Sequence, residues 1–197
     1  MNVLVLGARG AVGSRLVQEA LRRGHEVTEG TRDVVDAASA ESVAAAAAGH
    51  DVVLSAVIQR SAPELLLDVA HALLEGLERA GAPRLIVVGG AGTLELEPGL
   101  LVMDADDFNV DYRPEAAALL EMLRVLEGAN TSVEWSYITP PRGLAPGERT
   151  GTYRVGGDQM LVDGDGKSRI SIEDFAVAVL DEAEAPRHIR RRFSVAY

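Results

Sequence analysis

No cysteine occurs among the 197 residues, which excludes disulfides, thiolate nucleophiles and thiolate metal sites. Lysine occurs once, as Lys167. The four histidines, His25, His50, His71 and His188, are scattered without metal-ligand spacing, so no metal site is expected. No apolar run reaches the length of a membrane span. No basic lead precedes the first apolar segment, which therefore reads as a strand and not as a signal peptide. A cytoplasmic protein without a membrane partner is expected. Basic charge is in deficit: 19 Lys and Arg against 30 Asp and Glu leave a formal net charge of −11. Nucleic acid is not an expected partner for so acidic a chain. A local basic pocket for one anionic cofactor remains compatible with it. Internal repeats and low-complexity linkers are also lacking. Residues 1–197 read as one domain, with a small substrate-side region at about 140–170.

The N-terminus carries the strongest signal. Val3-Leu4-Val5-Leu6 runs into Gly7-Ala8-Arg9-Gly10-Ala11-Val12-Gly13 and then Ser14-Arg15-Leu16-Val17. This is an apolar strand, a glycine-rich turn and a helix start. In such a turn the first glycine makes the tight bend. The second lets a pyrophosphate approach the backbone, and the third lets helix and strand pack closely. The helix N-terminus adds free N–H groups and a positive dipole end. A glycine motif in this strand-to-helix context points to a dinucleotide.

Apolar runs then alternate with helical periods, the signature of an α/β fold with a parallel sheet. Helices are expected over Val12–Arg23, Ser39–Ala48, from a Ser61 cap with Pro63 in the first turn, over Pro114–Leu126, and from Ser171 to about Glu184. Strands are expected at Asn2–Leu6, from His25, at Asp51–Val57, Arg84–Gly89 and Val133–Thr139, with a short last one at Arg192–Val195. Leu66, Val69, Ala70, Leu73 and Leu77 form an inward stripe, as do Leu119, Leu120, Leu123 and Leu126. Trp135 reads as core. The expected fold is a Rossmann-like, doubly wound, mostly parallel sheet with helices on both faces. One place breaks the rhythm. Only Glu29–Asp36 lies between the second strand and the next helical stretch, too short for a helix and a strand. The second crossover is shortened near Arg32, lost or reduced to a loop.

The chain resembles the atypical branch of the short-chain dehydrogenase/reductase superfamily, which holds NAD(P)H-binding, flavin-reductase-like and NmrA-like proteins. The resemblance rests on the glycine turn, with Arg9 where Thr is usual. It rests also on His25-Glu26-Val27-Thr28 followed by Arg32, on Asp33-Val34-Val35-Asp36, and on Val88-Gly89-Gly90-Ala91-Gly92-Thr93. Ile138-Thr139-Pro140-Pro141, Pro146–Gly151 and Ile170–Ala176 complete it. The family has a helix and a strand between Arg32 and the D-x-x-D; here the two segments are fused.

The resemblance implies a nicotinamide cofactor held by Gly7, Ala8, Arg9, Gly10, Ala11, Val12 and Gly13. Val34 and Asp36 flank the adenine. Ser55, Ala56 and Val57 end a central strand beside the ribose. Gly89, Gly90, Ala91, Pro140 and Pro141 stand on the nicotinamide side. The position that carries an acid in NAD-binding relatives falls near Thr31, and Arg32 follows it. Arg32 and Arg9 favour the 2′-phosphate of NADP(H), guanidinium being suited to phosphate. NAD(H) stays open, since Glu29 could face the ribose.

Catalytic members of the superfamily pair a Ser or Thr with a Tyr and a Lys four residues after it. Thr93 and Tyr112 occupy the first two places. The fourth residue after Tyr112 is Ala116, so the lysine that would lower the Tyr pKa is absent. A sugar epimerase or dehydratase is disfavoured. An NAD(P)H-dependent reduction of a flavin-like or quinone-like small-molecule acceptor needs no such pair. Met103, Phe108 and Tyr112 are candidates for the acceptor pocket, with Tyr112 equally readable as an anchor for the helix after it. The alternative is an NmrA-like NADP(H)-binding sensor without turnover. The run Arg187–Arg192 reads as a solvated face or subunit contact. A monomer or homodimer is expected.

Overall fold

A computed structural model describes residues 1–197. The elements follow in chain order: β1 (Asn2–Leu6), α1 (Ala11–Arg22), β2 (Glu26–Gly30), α2 (Ala40–Ala47), β3 (Val52–Ser55), α3 (Leu65–Ala80) and β4 (Arg84–Val88). They continue with β5 (Glu95–Glu97), β6 (Leu100–Leu101), α4 (Arg113–Gly128), β7 (Glu134–Thr139), β8 (Gly143–Ala145), β9 (Arg154–Gly156), β10 (Arg169–Ser171), α5 (Ile172–Glu184) and β11 (Arg191–Ala196). The main sheet has seven strands in the order β2-β1-β3-β4-β7-β11-β9. All its pairings are parallel except β11 with β9. This is the Rossmann-like, doubly wound sheet that the alternation of apolar runs predicts.

Alternating side chains build the two layers. Leu4, Leu6, Val53, Leu85, Val87, Trp135 and Tyr137 point to one face and pack against α2, α3 and α4. Val3, Val5, Val52, Leu54, Ile86, Val88, Ile138 and Phe193 point to the other and pack against α1 and α5. Central strands buried on both faces read as continuous apolar runs, as these do. The α3 stripe of Leu66, Val69, Ala70, Leu73 and Leu77 is fully buried. On α4, Leu119, Leu123 and Leu126 are buried, but Met122 takes the inward place expected of Leu120.

The fused segment is a loop. From β2 the chain turns at Arg32–Val34, enters α2 at Ala40 and crosses directly to β3 on the far side of β1. No strand lies outside β2, which is the sheet edge. Ser39 caps α2 by accepting from the Ser42 N–H at 3.3 Å.

Two local expectations are corrected. Ser61 does not open a helix. The chain winds through short-range bonds, Leu65 N–H to Ala62 O and Leu66 N–H to Pro63 O, before α3 begins at Leu65. Arg192 is not on a solvated face. Its guanidinium pairs with Asp158 at 2.8 Å and donates to the Thr93 carbonyl at 2.5 Å. The short strands β5, β6, β8, β9 and β10 were not legible, being two or three residues long. No helix is long and apolar enough to cross a membrane.

Candidate cofactor site

Gly7 leaves β1 with φ of +78°, and a Cβ there would lie 2.7 Å from the Ala56 carbonyl oxygen. Both facts demand glycine. The turn closes through the Gly10 N–H donating to Gly7 O at 2.9 Å, and the Gly7 N–H donates to Gly30 O at 2.9 Å, tying turn to β2. A Cβ at Gly13 would stand 2.1 Å from Gly7 O, so α1 can pack here only with glycine. Gly10 is different: its added Cβ would meet only Gly7 O, at 3.2 Å, and the residue faces open space. As the N-cap of α1 it offers no side-chain cap, and the first turn holds no acid. The first-turn N–H groups are left for an anion, with the positive end of the helix dipole behind them.

These atoms open onto a cavity of about 1000 Å3. Its walls are the glycine turn, the end of β2 with Thr31–Asp33 and Val35–Ala37, and the loop Ala56–Ser61 after β3. That is the carboxyl end of three parallel strands, beside the point where strand order reverses, the ligand position of open α/β sheets. Three arginines, Arg9, Arg32 and Arg60, and two acids, Asp33 and Asp36, line it. Arg9 pairs with Asp33 at 2.8 Å, both side chains being about three-quarters exposed. Arg32 donates to the Gln59 side-chain oxygen, joining the two rims.

Of the residues expected to hold a cofactor, Gly7, Arg9, Gly10, Ala11, Val12, Arg32, Asp36, Ala56 and Val57 line this cavity. Ala8 and Ser55 are buried behind it, and Gly13 supports it from beneath. Val34 points away and is 74% exposed. Ile58, Gln59, Arg60 and Ser61 line it although the sequence reading passed over them. The signal was available: they directly follow a central strand, where ligands bind.

The remaining expected residues form a second group at the ends of β4 and β7. The Gly89 N–H donates to Ile138 O at 2.8 Å, joining the two strand ends just before Pro140 and Pro141, both buried. Gly89 lies flat on the Tyr137 ring, where a Cβ would be 2.2 Å from the ring edge. Burial pushes the Tyr137 phenol well above its ordinary pKa, and its hydroxyl donates to Leu119 O at 3.0 Å. Gly90 and Ala91 lead into a short 3-10 turn, Ala91–Thr93. Thr93 is fully buried and its hydroxyl donates to Gly90 O at 2.9 Å. It shapes the turn and does not face open space. Met103 and Phe108 pack over this turn, each within 3.4 Å of where a Gly92 Cβ would sit. Tyr112 is half-exposed, with the Arg60 guanidinium 5.7 Å above its ring. Arg60 also pairs with Glu115 at 3.0 Å. Arg60 thus connects the cavity wall to the Tyr112 side.

A second cavity, about 820 Å3, shares no residue with the first. It lies between the 145–154 loop, β10 and Tyr197. No group of His, Asp or Glu side chains is arranged to hold a metal ion.

The family model described as NAD(P)H-binding matches residues 33–183, more than half of the chain. The chain belongs to this NAD(P)H-binding family. The match begins at Asp33, inside the shortened segment, and so leaves out the glycine turn. Among curated proteins the chain is similar to YwnB of Bacillus subtilis, an uncharacterized protein, at 34% identity over 99% of this chain and 98% of that one. Their alignment is 209 positions long against a chain of 197 residues, so YwnB has at least 12 residues without a counterpart here. A Burkholderia pseudomallei structure, provisionally named an exported protein, is 38% identical, covers both chains fully and superposes with a TM-score of 0.91. A Streptococcus pneumoniae structure, provisionally named an NADH-flavin reductase, is 29% identical, with a TM-score of 0.86 over 100% of this chain and 99% of that one. The family is NAD(P)H-binding, and the likeness in fold to these structures extends over the whole chain. A nicotinamide dinucleotide fits the residues present: an uncapped helix N-terminus, a Gly7 that no Cβ could replace, and arginines at the rim.

Proposed function

We propose that the protein is an NAD(P)H-dependent oxidoreductase that uses NADPH to reduce a flat, flavin-like or quinone-like acceptor. The observation that carries this reading is the cavity itself, which joins the glycine turn, the free α1 N-terminus and the ends of three parallel strands. Gly10 and the first turn of α1 would hold the pyrophosphate. Ala56 and Val57 would border the ribose, and Arg32 would meet a 2′-phosphate. Gly89–Ala91 and Pro140-Pro141 would frame the nicotinamide end. When bound, the dinucleotide supplies the hydride. The chain's part is position: Gly89 and the 91–93 turn set the floor, while Met103, Phe108 and Tyr112 offer apolar surface to the acceptor. Residues 140–170 form the substrate-side region. No lysine stands four residues after Tyr112, where the fourth residue is Ala116, so the Tyr–Lys pair of general acid–base chemistry is absent. A quinone or flavin takes its proton from water, which removes that need.

The similarity to a reductase-named structure supports this reading. A second reading, a dinucleotide-binding sensor, is favoured by the burial of Thr93. The experiment is NADPH oxidation by the purified protein with a flavin mononucleotide or a soluble quinone added. Turnover that rises with enzyme and acceptor concentration is expected. Tight NADPH binding without turnover on either acceptor would overturn the reductase reading in favour of the sensor.

A further inference from the structure

The loss of a strand outside β2 has a chemical result at the cofactor rim. With the crossover reduced to a loop, Asp33 follows Arg32 directly and comes within 2.8 Å of Arg9 in the glycine turn. Of the three rim arginines, Arg60 pairs with Glu115, and the other two are unequal. Arg32 donates to the neutral Gln59 and keeps its charge uncompensated. Arg9 is already held by a carboxylate. We infer that Asp33 is a cofactor-specificity residue: it neutralises Arg9, so that, with Arg60 held by Glu115, Arg32 alone is free to recognise the 2′-phosphate.

The argument rests on the proposed dinucleotide site and concerns only its phosphate discrimination. A 2′-phosphate carries up to two negative charges. It gains Arg9 only by breaking the ion pair with Asp33. A 2′-hydroxyl meets no such opposition and can donate to a carboxylate. Asp33 therefore narrows the preference that two free arginines would give. The pair is largely exposed, so its effect is moderate and depends on salt.

Calorimetric titration with NADPH and NADH tests this on the unmodified protein, Asp33→Asn, Arg9→Ala, Arg32→Ala and the double variant D33N/R9A. All three positions are at the surface or rim, and circular dichroism confirms folding. Asp33→Asn is expected to raise the NADPH-to-NADH affinity ratio about three- to tenfold. That gain should vanish in the double variant, since it comes through Arg9. Arg32→Ala should lower NADPH affinity about tenfold or more, as loss of a charge-assisted phosphate contact does, with Arg9→Ala costing far less. An unchanged ratio in Asp33→Asn, with both dinucleotides still binding, would overturn the assignment. So would a gain that persists in D33N/R9A. Failure of the unmodified protein to bind either dinucleotide is a different result: it overturns the cofactor reading and the assignment with it.

Discussion

Arg149 grips Glu19 with two hydrogen bonds, 2.7 Å from Nε and 2.8 Å from Nη2. Glu19 is a buried carboxylate on α1, and Arg149 lies in the loop between β8 and β9. The contact straps the loop between β8 and β9 onto the helix whose N-terminus faces the cavity. Arg23 donates to the same carboxylate at 2.7 Å.

The Arg149 hydrogen bonds, joined by those of Arg23, outweigh the desolvation of Glu19 and hold its pKa at about 2 against an ordinary 4.5. A carboxylate depressed in the folded state stabilises it above the unfolded pKa, and that contribution is lost as pH falls through the folded pKa. Stability should therefore decline between about pH 4.5 and 2. Glu19→Gln should flatten that decline and cost roughly 1.5–3 kcal/mol at neutral pH, since it removes the charge from the carboxylate that accepts from both guanidiniums. Denaturant melts across this pH range check both statements.

Gly10 and Gly13 should fail differently. Gly13→Ala forces a Cβ to 2.1 Å from the Gly7 carbonyl, so the helix must move. A loss of about 3 kcal/mol or more, or failure to fold, is expected. At Gly10 the nearest contact would be 3.2 Å. Gly10→Val should stay folded and lose dinucleotide affinity, because its side chain occupies the approach of the pyrophosphate. Thermal melting with calorimetry separates the two effects.

Arg84 and Glu182 form a buried ion pair at 2.8 Å, joined by the Ser136 hydroxyl, which donates to Glu182 at 3.0 Å. Glu182 also accepts from the His188 backbone N–H at 2.9 Å. The cluster locks β4, β7 and α5 together beneath the site. Glu182→Gln or Arg84→Met should cost about 3–5 kcal/mol by leaving one buried charge unpaired. Chemical denaturation of each variant measures it.

Arg192 holds Asp158 and the Thr93 carbonyl together, and the Asp158 carbonyl in turn accepts from the Glu95 N–H at 2.9 Å. Arg192→Gln should loosen the 91–93 turn and leave the glycine-turn cavity untouched. NADPH affinity by calorimetry should stay within about twofold, while the fluorescence of bound NADPH, which reports the nicotinamide surroundings, should shift toward that of free NADPH. Unchanged fluorescence would mean that the turn is held without Arg192.

The sequence by itself determined the layers and the glycine turn, because both are local. A strand buried on both faces must be a continuous apolar run, as Val3–Leu6, Val52–Leu54 and Leu85–Val88 are. An amphipathic helix must repeat its apolar face, as α3 does. A turn that lets a helix meet a strand must be glycine at Gly7 and Gly13. Even the shortened crossover was visible, as a gap too small for two elements. Contacts across long stretches of chain were not legible. Nothing in the spacing of Arg9 and Asp33 announces an ion pair, which exists because the parallel pairing of β1 and β2 sets the loops that follow them side by side. Nothing near Arg192 announces Thr93, 99 residues away, nor near Arg149 announces Glu19. Thr93 carries the right residue type for catalysis, and only packing shows that its hydroxyl is used by its own turn. Local propensity and periodicity act over a few residues. The partner of a charge, the burial of a hydroxyl and the wall of a cavity are set by which distant segments the sheet order brings together.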